Sequence, residues 1–157
     1  MDGEQDYRRA LGAFATGVAL ITADAPGGPA GLVVNSFTSV SLTPRLVLWC
    51  LGDRSDRFAT FSVAERWGVS ILADSHQALS ARFAQQGSTA SQDNVFERLA
   101  GAPVVDGAIA RFVCSTRDRL TMGDHLVIVG AVEAFDTQSG DALTYFRGRY
   151  GVARTEG

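Results

Sequence analysis

Five hydroxyl side chains and one amide fall within nine consecutive positions, Asn35-Ser36-Phe37-Thr38-Ser39-Val40-Ser41-Leu42-Thr43, with Pro44 next. Apolar segments flank them on both sides. Ligand sites are mostly apolar, with a few placed polar groups. Hydroxyls and freed backbone N–H groups in such a wall suit the edge of a flat heteroaromatic ring bearing carbonyls and nitrogens. A solvated edge strand running into a turn at Pro44 explains the same composition.

Two short segments could meet a phosphate. In Asp53-Arg54-Ser55-Asp56-Arg57-Phe58, Ser55 can cap a helix whose first N–H groups attract anions, and Arg54 or Arg57 can add a bidentate contact. Asp53 and Asp56 oppose an anion there, and an ordinary cap with surface arginines is the plain alternative. In Ser80-Ala81-Arg82-Phe83, Ser80 and Arg82 are two apart and so do not share a helix face. Arg82 reaches a phosphate only if its helix runs beside the site.

His125 follows Gly123-Asp124 at the start of a long strand candidate and is one of only 2 histidines. It can donate a hydrogen bond, stack, or carry charge near neutral pH, although a lone histidine also serves structure. Near the C-terminus, Tyr145-Phe146-Arg147-Gly148-Arg149-Tyr150-Gly151 interleaves aromatics with guanidinium groups. A single short copy in a chain of net charge −3 does not suit nucleic acid. A clamp on a phosphate-bearing aromatic ligand, by stacking and guanidinium contacts, fits better.

Composition removes several alternatives. All 14 basic residues are Arg, and there is no Lys. That excludes a Schiff-base lysine and the lysine of an ordinary P-loop. No HExxH, CxxC or CxxH spacing offers a zinc site, no GxGxxG marks a Rossmann turn, and GxSxG is absent. Cys50 and Cys114 lie inside apolar runs, as expected for free thiols in a reducing compartment. No apolar run approaches a membrane span, and the polar start MDGEQDYRRA is not a secretory signal. Cytoplasm is the expected location.

These residues need a frame. Tyr7, Ala10, Leu11 and Phe14 follow helical spacing, with Gly17 just beyond. Strands are expected at Val18–Thr22, Gly31–Ser41, Leu46–Leu51, Trp67–Leu72, Ala108–Thr116, His125–Phe135 and Leu143–Phe146. Ala25–Gly28 reads as a turn. Helices are expected after Ser55, carrying Phe58 and Phe61; after Ser75, carrying Leu79 and Phe83; and near Asp93–Leu99, ending at Gly101. Gly87–Gln92 reads as a polar loop. Six or seven strands with three or four short helices, not in regular alternation, favour a mainly β antiparallel barrel with peripheral helices over a doubly wound parallel sheet.

Five segments in this order resemble the short flavin reductases, the small components of two-component flavin-dependent monooxygenases. They are FATGVALIT (Phe14–Thr22), NSFTSVSLTP (Asn35–Pro44), VSILADSHQALSARFA (Val69–Ala84), GDHLVIVGAV (Gly123–Val132) and YFRGRYG (Tyr145–Gly151). The resemblance implies a single domain over residues 1–157 with an FMN-binding split β-barrel, antiparallel and Greek-key-like, in a homodimer. It implies hydride transfer from NADH or NADPH to FMN or FAD, with reduced flavin passed to a separate monooxygenase. Carried over by motif, Asn35, Ser36, Phe37, Thr38, Ser39 and Val40 line the isoalloxazine and ribityl chain. Ser55, Arg57, Ser80, Arg82 and Phe83 meet the flavin phosphate. His125 sits at the nicotinamide as the catalytic-site residue, and Tyr145, Gly148, Arg149 and Tyr150 hold the pyridine nucleotide. No metal, nucleic acid or membrane is implied. Two other readings stay open on this fold: a protein holding its flavin tightly for another redox role, and a non-catalytic partner subunit.

Overall fold

The computed structural model describes residues 3–85 and 94–156. Its main sheet has seven antiparallel strands in the order β3-β2-β6-β9-β10-β5-β4. These are β2 (Ala19–Ala25), β3 (Gly28–Val34), β4 (Thr38–Leu42), β5 (Arg45–Gly52), β6 (Arg66–Ile71), β9 (Ala110–Met122) and β10 (His125–Thr137). A smaller sheet orders β1 (Thr16–Gly17), β11 (Ala142–Phe146) and β12 (Arg149–Ala153) as β1-β11-β12. Strands β7 (Phe96–Leu99) and β8 (Ala102–Val105) form a hairpin. The helices are α1 (Glu4–Gly12), α2 (Phe58–Phe61) and α3 (Gln77–Phe83), with a 3₁₀ turn at Asp74–His76.

Period-2 alternation builds the core. On β5, Val47, Trp49 and Leu51 are buried while Leu46, Leu48 and Cys50 on the other face are half-buried. The buried row joins Ile21 of β2, Val69 of β6, Cys114 of β9 and Ile128 of β10 in one cluster, with Leu32 of β3 packed against it. Because β3 and β5 reach the same cluster from opposite ends of the strand order, the sheet is curled. Its edge strands β3 and β4 are consecutive in the chain but are not hydrogen-bonded neighbours, so the curl stays open. The expected mainly β, antiparallel architecture is the one observed, and parallel ladders are absent among the described residues.

Two glycines set the packing. A Cβ on Gly130 would lie 2.5 Å from the Trp67 ring, and one on Gly31 would lie 2.9 Å from Phe83. The second contact seats α3 directly on β3. Cys50 and Cys114 are free thiols, half-buried and buried respectively, and no helix among the described residues is long and apolar enough to cross a membrane.

Several expectations are corrected. Gly31–Ser41 is not one strand: it breaks at 35–37, where the Ser36 hydroxyl accepts the Cys50 N–H at 2.9 Å in place of a ladder bond. The helix expected near Asp93–Leu99 is strand β7 from Phe96, and Asp93 lies outside the described residues. Ala100 (φ 46°) and Gly101 (φ 83°) turn the chain back onto β8 there. Ser55 does not cap α2: its hydroxyl accepts the Arg57 N–H at 3.2 Å, and the single helical turn begins only at Phe58. Ser75 does not cap α3, since the 3₁₀ turn intervenes and His76 Nδ1 accepts the Ala73 N–H at 3.0 Å. Helix α1 ends at Gly12 and leaves Tyr7, Leu11 and Phe14 exposed. The loop expected at Gly87–Gln92 lies outside the described residues.

Candidate functional site

Hairpin β11–β12 is tied to α3 by a side-chain bond. Tyr145 and Tyr150 face each other in register, their ring centroids 5.4 Å apart. The Tyr150 hydroxyl lies 2.7 Å from Oγ of buried Ser80 on α3. Beside them opens a cavity of about 230 Å³, lined by Val18, Val33, Val34, Asn35, Ala84, Tyr145 and Tyr150. Its walls are aliphatic and aromatic, with one amide and two phenols at the rim, the mix expected for a flat, partly polar ligand.

Beyond Asn35, residues 35–37 leave the ladder, and the Ser36 hydroxyl bridges to both backbone groups of Cys50, accepting at 2.9 Å and donating at 3.4 Å. Thr38 then pairs with Leu48 and Ser39 with Val47. This antiparallel run lays Asn35 near the C-terminal end of β5 and Val40, in the bulge between Ser39 and Ser41, nearer its start. Thr38, Ser39 and Val40 are exposed on the edge strand, whereas Phe37 turns inward onto Phe112, centroids 5.7 Å apart.

At that end of β5, the Gly52 carbonyl accepts the Ser55 N–H at 3.1 Å, and Ser55 Oγ accepts the Arg57 N–H. Arg57 is buried. Its guanidinium donates to Asp56 Oδ1 at 2.9 Å and to the Gln85 carbonyl at 3.2 Å, just beyond α3. Thus the two segments with phosphate-binding character meet: α2 is tied to the end of α3, whose next neighbour Ala84 lines the cavity. Ser80 and Phe83 are buried, and Arg82 is half-buried with its guanidinium 5.8 Å from the Phe83 ring. Asp56, the residue that opposes an anion, holds one arm of Arg57.

His125 pairs with Gly52 across β10 and β5. The ring lies alongside Gly52, where a Cβ would make an ordinary contact with His125 Nε2 at 3.6 Å. Nδ1 lies 2.7 Å from Asp124 Oδ1. The hydrogen bond to His125, followed by the charge of His125, lowers the Asp124 pKa from its ordinary value. With Asp124 ionised, Nδ1 is the donor of this hydrogen bond, which leaves Nε2 as the second ring nitrogen of a half-exposed side chain.

Gly148 and Arg149 sit farther out. Gly148 (φ 76°) lies in the two-residue turn of hairpin β11–β12, and Arg149 pairs with Phe146 at its mouth, exposed. The structure therefore places Asn35, Tyr145 and Tyr150 on one cavity, buries Ser80 against Tyr150 and Phe83 against Gly31 of β3, links Ser36, Ser55, Arg57 and His125 to this region through β5 and Gln85, and leaves Thr38, Ser39, Val40, Gly148 and Arg149 exposed farther out. Sequence reasoning missed Val33, Val34 and Ala84 as wall residues, because apolar strand and helix positions carry no mark of lining a cavity. It also missed Asp124, whose adjacency to His125 was the available signal.

The residues could hold a flavin. The aliphatic and tyrosine walls suit a ring system, the irregular backbone at 35–37 suits its polar edge, and Arg57 brings a guanidinium to the end of α3. Residues 11–154 match the family described as flavin reductase like domain. Over 150 residues the chain is 40% identical to the FMN reductase (NADH) SmoA of Agrobacterium fabrum, an alignment covering 96% of this chain and 86% of that one. It is 35% identical over 153 residues to the reductase component of the flavin-dependent trigonelline monooxygenase of Acinetobacter baylyi, covering 93% of this chain and 48%, about half, of that protein. The structure of the NADH:FAD oxidoreductase SgcE6 of Streptomyces globisporus, in complex with NAD and FAD fragments, matches with a TM-score of 0.86 at 30% identity, over 94% of this chain and 90% of that one.

Proposed function

This chain belongs to the flavin reductase-like family, and from that premise we propose that it transfers a hydride from NADH to FMN or FAD and supplies reduced flavin to a separate monooxygenase. The observation that carries the reading is the convergence of Asn35, Tyr145 and Tyr150 on one cavity, with Tyr150 anchored to buried Ser80, and its link through Gln85 to Arg57 and through β5 to His125. Relatives named FMN reductase (NADH) and monooxygenase reductase component support the donor, the acceptor and the partner class.

A flavin held here would supply the redox chemistry, as acceptor of the hydride from the dihydronicotinamide. The protein positions. Asn35 and the backbone of 35–37 hydrogen-bond the polar edge of the ring, and Thr38, Ser39 and Val40 flank it. Ser55, Arg57 and Arg82 hold the phosphate end, with Ser80 and Phe83 fixing α3 beneath. His125 orients the nicotinamide: its Nε2 accepts a carboxamide N–H while Asp124 fixes the tautomer. Tyr145, Tyr150, Gly148 and Arg149 hold the rest of the nucleotide. Alignment of donor and acceptor in contact supplies rate by proximity, and no side chain need exchange a proton in the hydride step.

Exposed Tyr7 and Leu11 on α1, Phe14 just beyond it, and Leu120 and Met122 on hairpin β9–β10, are faces of the kind a second copy covers, which supports a homodimer. A single domain over residues 1–157 and a cytoplasmic location complete the proposal. Loss of nicotinamide absorbance is followed with FMN, FAD and riboflavin offered in turn. Turnover with at least one is the expected result. No oxidation with any of them, by protein that is folded, overturns the function.

A further inference from the structure

The turn at 73–76 leads from β6 into α3 and is bonded to both hairpins beside that helix. Ala73 sits opposite Ala142, the first residue of β11, in an antiparallel bridge. The Leu143 N–H donates to the Leu72 carbonyl and the Asp74 N–H to the Asp141 carbonyl, each at 3.0 Å. These bonds flank Ala73, so its own N–H and C=O point away from β11. Ala73 is buried, and backbone polar groups there need partners. One residue supplies both. His76 Nδ1 accepts the Ala73 N–H at 3.0 Å, and the His76 backbone N–H donates to the Ala73 carbonyl at 2.9 Å.

The same ring reaches the other hairpin. His76 Nε2 lies 3.1 Å from the carbonyl of Asp106, directly after β8. The Asp106 N–H donates in turn to the Val95 carbonyl at 2.7 Å, closing the open end of hairpin β7–β8. A carbonyl only accepts and a backbone N–H only donates. The two partners therefore define one tautomer, with hydrogen on Nε2 and none on Nδ1. That is the reverse of His125, whose Nδ1 donates to Asp124. Both ring nitrogens of His76 are taken by backbone groups, and the ring does not line the cavity between Val33 and Tyr150, so it is not placed to touch a ligand there.

What this turn can place is the cavity wall. Helix α3 has only 7 residues, too few to hold itself without anchors. It carries Ser80, bonded to the Tyr150 hydroxyl, and hands on to Ala84, which lines the cavity. From Ala142, β11 runs to Tyr145, on the same cavity. We propose that His76 is a positioning residue for the flavin cavity, locking the 73–76 turn so that α3 and β11 present Ala84, Tyr145 and Tyr150 as one fixed wall, a role that rests on the reading of that cavity as the flavin site.

Two amide side chains separate the two bonds of the ring. The amide oxygen of Asn stands as many bonds from Cα as Nδ1, and the amide nitrogen of Gln as many as Nε2. His76→Asn thus keeps the acceptor for Ala73, His76→Gln keeps the donor to Asp106, and His76→Phe keeps neither. Riboflavin and FMN are titrated calorimetrically into each folded protein. Both should bind His76→Phe and His76→Gln about tenfold more weakly than wild type, and His76→Asn within twofold of it. A residue serving stability alone would move the unfolding midpoint and leave these affinities in place. The imidazole nitrogen NMR spectrum of wild type in mildly alkaline buffer, assigned by comparison with His76→Asn, should show the His76 hydrogen on Nε2.

Hydrogen on Nδ1 overturns the proposal, as do flavin affinities within twofold of wild type in His76→Phe and His76→Gln. Where only one of these two folds, its affinity decides. Failure of both to fold also overturns it, since the role would then belong to the fold and not to the site. Wild type that binds neither flavin overturns the flavin reading and this role with it, whereas affinities that the variants leave unmoved overturn this role alone.

Discussion

The hydroxyls of Ser80 on α3 and Tyr150 on β12, 70 positions apart in sequence, lie 2.7 Å from each other and tie the helix floor of the cavity to its tyrosine wall. Ser80 is fully buried, so its hydroxyl has no recourse to water. Tyr150→Phe leaves that hydroxyl unpaired and should lower stability by about 1–2 kcal/mol, whereas Ser80→Ala combined with Tyr150→Phe should cost less than the two single changes summed. Urea unfolding of the four proteins measures the coupling. Strict additivity would show that the bond contributes nothing in solution.

Asp124 controls which nitrogen of His125 faces the substrate. Asp124→Asn removes the anion that fixes Nδ1 as donor, and the neutral amide can present either an acceptor or a donor to the ring. The NADH KM should rise about five- to tenfold, with the flavin KM little changed, in steady-state assays varying each substrate. A KM for NADH equal to that of wild type would remove His125 from the nicotinamide.

Arg57 separates phosphate binding from folding. Its bonds to Asp56 and the Gln85 carbonyl brace α2 against the end of α3. Arg57→Gln should raise the KM for FMN about tenfold, the size of one lost charged contact, but should spare riboflavin, which lacks the phosphate. Equal changes for both acceptors would make Arg57 a brace alone.

The Cys114 thiol gives the fold a pH signature. Burial, and secondarily the charge of Glu133, push its pKa from 9.0 up to about 12. The folded state therefore holds the proton more tightly than the unfolded chain. This contribution to stability is complete below pH 9.0 and is lost as pH rises toward about 12. Cys114→Ala should lower stability at neutral pH by about 1 kcal/mol through the lost packing of one atom, yet decline less steeply than wild type across that alkaline window. Parallel curves of denaturant midpoint against pH would mean that the thiol ionises freely in the folded protein.

What could be read in advance divides along physical lines. The apolar runs of β2, β5 and β10 are continuous enough to announce strands, and all three form. Phe96-Glu97-Arg98-Leu99 lacks strand alternation, and β7 exists because the tight turn at Ala100-Gly101 returns the chain onto β8. Gly31–Ser41 looks like one strand because nothing local marks Ser36 as a partner for Cys50. In the site, Asn35, Ser80, Tyr145 and Tyr150 were named from motifs, but the Ser80–Tyr150 bond and the Arg57–Gln85 bond are tertiary and leave no periodic trace.

The central claim is direct hydride transfer from NADH to free flavin on this chain. Anaerobic mixing of catalytic protein with equimolar NADH and FMN, following the nicotinamide and oxidised-flavin absorbance bands together, tests it most directly. Both bands should vanish in parallel, one nicotinamide oxidised per flavin bleached, over many turnovers of protein. NADH that persists beside oxidised FMN and FAD, with folded protein present, contradicts it.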